Sequence, residues 1–293
     1  MWNKPWRQTE GFLIGGGLIM TGLMLELSVG PVVWDTFAWP VNIFVLAVLL
    51  MLFLGMFLLR GKVYAFRYLS TSQAVVPALA YAVVLTIIMG LTRQTVDGVW
   101  LNNMLTFWPF VLIYVYLAFI LSQVILCRAA HFRWKRDVPF MLNHLGLLMV
   151  MLCATLGNAD LQRMKMITAV GEPEWRVLTA QGEIKELPLA IELKRFIMET
   201  YSDGSPKRFA SDIAIYTKSG KSFSTTVDVN KPATVEGWKI YQYGYDTSMG
   251  ARSNTSILEL VSDPWLPAVY TGIWMMLAGA VCMFLLGVRR KKG

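Results

Sequence analysis

The sequence predicts a membrane protein with six transmembrane α-helices and an external, mainly-β domain inserted between helices 5 and 6. Three observations carry this. Hydrophobic residues make up 55% of the chain and charged ones only 16%, against roughly 25% charged in an ordinary soluble domain. Apolar runs of about 20 residues, enough to cross a ~30 Å hydrocarbon core, recur six times. One long polar stretch, 158–263, separates the fifth run from the sixth. The expected organisation is a five-helix region over 1–157, a β-rich domain over 158–263, and a closing helix with a basic tail over 264–293.

The runs fall at about 11–30, 39–59, 74–92, 105–126, 139–157 and 266–286. Glycine and proline interrupt several, which membrane helices tolerate when neighbours satisfy the freed backbone. The first run follows Lys4 and Arg7, as a signal peptide would, but its apolar part is long and "GLMLELSVGPVVWD" offers no small-x-small cleavage site. It is expected to be a retained helix.

The net charge of +8 gains meaning from its location. Residues 158–263 hold 13 basic and 14 acidic side chains and are near neutral. Of the other 14 basic residues, 13 lie in four places: Lys4 and Arg7, "RGKVYAFR" (60–67), "RAAHFRWKR" (128–136) and "RRKK" (289–292). Six spans put all four places on one side, which the positive-inside rule makes the cytoplasm. The expectation is a multi-pass protein of a bacterial inner membrane, both termini cytoplasmic, with 158–263 in the periplasm. Each basic cluster is short and hugs a helix end, so lipid, and no nucleic acid, is the partner it implies.

Short runs rich in β-branched and aromatic residues fill the polar stretch: "MKMITAV", "EWRVLTA", "FASDIAIYTK", "SFSTTVDV", "WKIYQYGYD" and "TSILELV". Turn material such as "SDGSPK" and "NKPATVEG" separates them. Segment 187–201 is compatible with strand or helix and is assigned to strand. Six or seven strands in a sandwich or small barrel are expected.

Chemistry-bearing residues are few. Cys127, Cys153 and Cys282 lie in or beside membrane runs, so no disulfide framework is expected. The sequence has no C-x-x-C and no C-x-x-C-H, which excludes a thioredoxin-like motif and a c-type cytochrome. No nucleophile triad, zinc-ligand cluster or phosphate loop is visible. His144 is different: an imidazole inside an apolar run is costly unless paired or bound. Two readings stand open, an axial ligand of haem iron and a hydrogen bond to a neighbouring helix. A helix starting at Pro139 would place His144 roughly 8 Å beyond its cytoplasmic end. Asn143, roughly 100° around that helix, reads as inter-helix glue. Met151 shares the face of His144 but cannot bind the same iron from the opposite side, so packing explains it. His131 lies in the basic loop and reads as solvated; Arg128, Arg133, Lys135 and Arg136 beside it are explained by topology, with haem propionates as a second possibility. Glu26 reads as interfacial. Gly15, Gly16, Gly17, Gly22, Gly272 and Gly279 allow close helix approach, and Trp100, Trp108 and Trp265 suit an aromatic belt.

Four segments in order resemble the ResB family, also called CcsB, of system II cytochrome c maturation. They are "NHLGLL…LG" (143–157), "SPKRFASDIAIYTKSGK" (205–221), "VDVNKPATVEGWKIYQYGYD" (227–246) and "LVSDPWLPAVYTGIWMMLAGAVCMF" (260–284). The likeness covers about 139–286. Trp265 stands where the family often has glycine. The tryptophan-rich W-G-x-x-W-x-W-D motif of the partner ResC/CcsA proteins is absent from the sequence. The resemblance implies the non-catalytic or accessory half of a holocytochrome c synthase. Its role would be to deliver haem outward and help attach it to the C-x-x-C-H motif of apocytochrome c. It further implies that His144 ligates a transient haem b shared with a ResC/CcsA-like membrane protein. The alternative is a haem-free, membrane-anchored scaffold of a respiratory or reductase complex. A b-type quinol-oxidising subunit is disfavoured, because it needs at least two buried histidines and only His144 is offered.

Overall fold

The computed structural model describes residues 2–95 and 98–290. Lys291 and Lys292 of the basic tail lie outside them. The chain divides into two compact units, Met1–Asp160 with Trp265–Gly293, and Leu161–Pro264.

The first unit is helical: α1 Gln8–Val29, α2 Val41–Leu59, the short α3 Tyr64–Tyr68, α4 Ser72–Leu91, α5 Trp108–Ala129, α6 Trp134–Gly157 and α7 Leu266–Arg290. Among the described residues six helices, all but α3, are long and apolar enough to cross a membrane. Their apolar side chains point in every direction and most stay uncovered, the pattern of helices solvated by lipid.

Small residues set how closely these helices approach. A Cβ at Gly11 would lie 2.7 Å from the Pro77 ring, and one at Gly22 would lie 2.5 Å from the Pro109 backbone nitrogen. Gly15 abuts Tyr81, whereas Gly17 has open space around it and packs on nothing. Glu26 lies near the end of α1, as an interfacial residue would, but is not open to water. It is 6% exposed and its carboxylate accepts the Trp108 N–H at 3.2 Å. It thus answers the unpaired donors and positive end of the α5 dipole.

Helix α6 begins at Trp134, five residues before the expected start. The Asp137 carboxylate accepts the Arg133 backbone N–H at 2.8 Å, which satisfies a donor at the entry, and Pro139 sits inside the helix. His144 is therefore ten residues in, roughly 15 Å along the axis.

The second unit is a single antiparallel sheet of eight strands in the order β5-β4-β3-β2-β1-β8-β7-β6. The strands are β1 Gln162–Ala169, β2 Pro173–Thr179, β3 Ile184–Thr200, β4 Pro206–Thr217, β5 Ser222–Asp228, β6 Ala233–Val235, β7 Trp238–Tyr245 and β8 Thr255–Ser262. Segment 187–201 is strand as assigned, up to Thr200. The count exceeds the expected six or seven because β6 has three residues and hides in turn-rich sequence. Alternate residues point inward: Met164 and Met166 on β1, Ile213 and Ile215 on β4, Leu258 and Leu260 on β8 share one core. The sheet rolls far enough that β4 faces β7 and β8 across this core. The Ser211 and Ser256 hydroxyls both reach Gln242 Oε1, at 2.6 and 3.0 Å, and Gln242 Nε2 donates to the Gly244 carbonyl at 2.7 Å. Burying three polar side chains is tolerated because each finds a partner.

Candidate functional site

Helix α6 carries the candidate site, and its sequence divides its surface into strips. One strip packs on α7, where small residues bring the backbones together. A Cβ at Gly146 would lie 2.6 Å from the Gly272 carbonyl oxygen, and one at Gly272 would lie 2.7 Å from that of Gly146. Asn143 presses against Gly279 and Gly157 against Trp265 on the same strip. A second strip, Met141, Leu148 and Leu152, packs with Phe53 of α2 and Ala118 and Ile125 of α5. At roughly 100° per residue, Phe140, His144 and Leu147 fall between these strips. His144 is half-buried and Leu147 exposed.

His144 is held by its own helix. Its Nδ1 lies 2.9 Å from the Phe140 carbonyl oxygen. A carbonyl only accepts, so Nδ1 carries a proton, and in the neutral imidazole Nε2 then keeps its lone pair. Among the described residues Nε2 has no hydrogen-bond partner. The ring stacks on Phe140 at 3.8 Å between centroids and 20° between planes. A metal-binding histidine is commonly oriented by this kind of carbonyl contact at its other nitrogen.

A charged cluster sits just below, at the end of the bundle that carries the basic residues. The Arg128 guanidinium lies 5.3 Å from the Phe140 ring centroid. Its Nη2 is 2.8 Å from Asp137 Oδ1, and the carboxyl side chain of Asp137 is fully buried. Arg136 Nε donates to the same carboxylate at 2.8 Å. Sequence reasoning placed these arginines on a membrane face but did not identify Asp137 as their common acceptor.

The other candidates separate from His144. His131 is exposed at the α5–α6 turn, its Nδ1 3.4 Å from the Cys127 carbonyl. Asn143 does not bridge helices by hydrogen bonding as expected; its Nδ2 donates to Pro139 of its own helix at 2.8 Å. Its contribution to α7 is steric. Met151 packs against the α2–α5 cluster. Among the described residues no group of three His, Cys, Asp or Glu side chains could hold a metal ion.

The far end of the helical unit holds a junction that no sequence motif announced. Asp160 accepts from the Trp39 backbone N–H, Asn42 Nδ2 and Trp265 Nε1, each at 2.7 Å. One carboxylate thereby ties the start of α2 and the end of α6 to the residue before α7. Two cavities of about 300 and 230 Å³ lie nearby, sharing Trp34, Val111, Tyr114, Val115 and Thr155. His144 lines neither.

Residues 129–256, which include His144, match the model of the ResB-like family. The cytochrome c biogenesis protein CcsB of Prochlorococcus marinus subsp. pastoris (strain CCMP1986 / NIES-2087 / MED4) is 28% identical over 135 residues, 46% of this chain and 31% of that protein. The CcsB proteins of P. marinus strains NATL1A and NATL2A are 28% identical over 101 residues, 34% of this chain and 23% of theirs. The chain thus spans less than a third of the length of these curated relatives. Among solved structures, cytochrome c heme lyase CcmF is similar over 95% of this chain and 46% of that one, with 13% identity and a TM-score of 0.37. That likeness is too loose to carry fold or function.

Proposed function

We propose, from the match of residues 129–256 to the ResB-like family, that the chain is a membrane subunit of a cytochrome c maturation complex. It binds haem b transiently at His144, in a site completed by a ResC/CcsA-like membrane partner. The sheet unit, expected at 158–263, faces the periplasm and serves as a surface where apocytochrome c meets the delivered haem. Both termini face the cytoplasm of a bacterial inner membrane.

One observation carries the haem reading: a half-buried imidazole in the family-matched segment is fixed in the tautomer that leaves Nε2 unpartnered. The residues fit the group only in part. Nε2 would supply a ligand to its iron, the Phe140 carbonyl and ring would fix the plane of the imidazole, and Leu147 would offer apolar surface beside it. Haem, when bound, supplies the vinyl groups that become thioether-linked to apocytochrome cysteines. His131 is far from suited as a second ligand, being solvated and held toward Cys127. The second ligand is therefore assigned to the partner. Joining haem to cysteine thiols needs the reactants reduced and held together, which is work of proximity and orientation.

Expression in a host without its own cytochrome c maturation genes tests this. The chain, a ResC/CcsA-like partner and a reporter apocytochrome together should yield haem-stained reporter, and omission of the chain should abolish it. Equal staining without the chain would contradict the proposal. A haem-free scaffold, the second reading, predicts a complex with the partner but no haem that depends on His144.

A further inference from the structure

Arg128 at the end of α5 is one aromatic ring away from His144. Its guanidinium lies 5.3 Å from Phe140, and Phe140 stacks on His144 at 3.8 Å. Arg128 is only partly satisfied. Asp137, its acidic contact among the described residues, also accepts from Arg136 Nε at 2.8 Å and from the Arg133 backbone N–H at 2.8 Å. One carboxylate answers two guanidiniums, so the cluster keeps surplus positive charge. Among the described residues the buried Arg128 Nε has no hydrogen-bond partner, a costly state for a charged donor.

We propose that Arg128 is an anion-recognition residue for the ligand of His144, taking a carboxylate of an acidic porphyrin whose iron meets Nε2. The inference rests on the haem reading above. Guanidinium recognises carboxylate by paired N–H donors in a planar fork, and here a partly exposed guanidinium lies beside an aromatic ring that leads to the imidazole. That sequence of cation, aromatic ring and ligating nitrogen matches an amphiphile with an apolar body and an acidic edge. It orients the acidic edge toward the basic end of the bundle.

The test uses the full chain in non-ionic detergent, titrated with ferric protoporphyrin IX haem and with its dimethyl ester, followed by absorption. Wild type should bind the free acid about tenfold more tightly than the ester, as one charge-assisted contact provides. Arg128→Gln should bind the ester like wild type and lose the preference. Arg128→Lys, which keeps the charge without the fork and guards against a folding defect, should retain part of it. His144→Ala should alter the spectrum with both porphyrins. A full preference in Arg128→Gln overturns the proposal. So does a wild-type preference abolished by added phosphatidylglycerol, which would assign Arg128 to a lipid phosphate. If wild type gives no His144-dependent spectrum with either porphyrin, the haem reading itself fails, and that result is distinct from the other two.

Discussion

The imidazole of His144 is clamped to Phe140 twice: its Nδ1 lies 2.9 Å from the Phe140 carbonyl oxygen, and its ring stacks on the Phe140 ring at 3.8 Å. The first contact is backbone and survives substitution, whereas the second does not. Phe140→Leu should therefore keep a histidine-ligated haem spectrum but weaken haem binding about three- to tenfold, since an aromatic contact is worth ~0.5–1.5 kcal/mol. Titration by absorption measures this, and an unchanged affinity would deny the ring any orienting role.

The α6–α7 seam depends on carbonyl oxygens that cannot move aside. Gly272→Val sets a side chain against the Gly146 carbonyl and should cost about 1–3 kcal/mol as overpacking. It should be seen as a lower thermal midpoint in detergent and poorer yield. Gly17→Ala, where the space is open, should leave both unchanged.

Asp160 organises the far end. Asp160→Ala removes the shared acceptor of three donors, and Asn42 Nδ2, on a residue with no exposed surface, keeps only its 3.3 Å contact to the Leu156 carbonyl. A loss of about 2–3 kcal/mol is expected for three hydrogen bonds given up at about 1 kcal/mol each. Trp265→Phe removes one of the three and should cost about 1 kcal/mol. Denaturation of the purified protein ranks the two, and the reverse order would show that the carboxylate is not the hub.

The sheet unit should weaken in acid. The Arg176 guanidinium, with the backbone N–H groups of Arg176 and Trp175, holds the Glu174 carboxyl down to about 2. Arg208 lowers Asp228, and the Thr226 hydroxyl with Arg195 lowers Asp212. Carboxyls depressed in the folded state stabilise it fully above their ordinary range near 4, and that stability fades as pH falls toward their folded values. Amide hydrogen exchange of the intact protein should show β2–β5 protection constant from pH 7 to 5, after allowance for intrinsic exchange, and falling below about 4. Protection unchanged down to pH 2 would contradict this.

Local sequence carried the spans and seven of the eight strands, because hydropathy and β-branching are properties of short windows. It did not carry partners. Glu26 and Asp160 are single carboxylates in apolar or turn-like surroundings, and only the tertiary approach of Trp108, Trp39, Asn42 and Trp265 gives them work. Asn143 was recognisable as an inter-helix residue, but its hydrogen bond stays local and its packing does the bridging. The segments that resemble the ResB family gain physical content in space. Ser211 of "FASD" meets Gln242 of "YQYGY" inside the sheet, and Gly157 of "NHLGLL…LG" receives Trp265 of "DPW". The closeness of Arg128 to Phe140 was hidden for the same reason, since α5 and α6 must turn back on each other to create it.

The most direct measurement is the absorption spectrum of the chain purified with a ResC/CcsA-like partner, wild type against His144→Ala. A b-type spectrum in wild type, lost in His144→Ala and restored by added imidazole, is the predicted result. Equal haem content and identical spectra in the two proteins would contradict the assignment of His144 as a ligand.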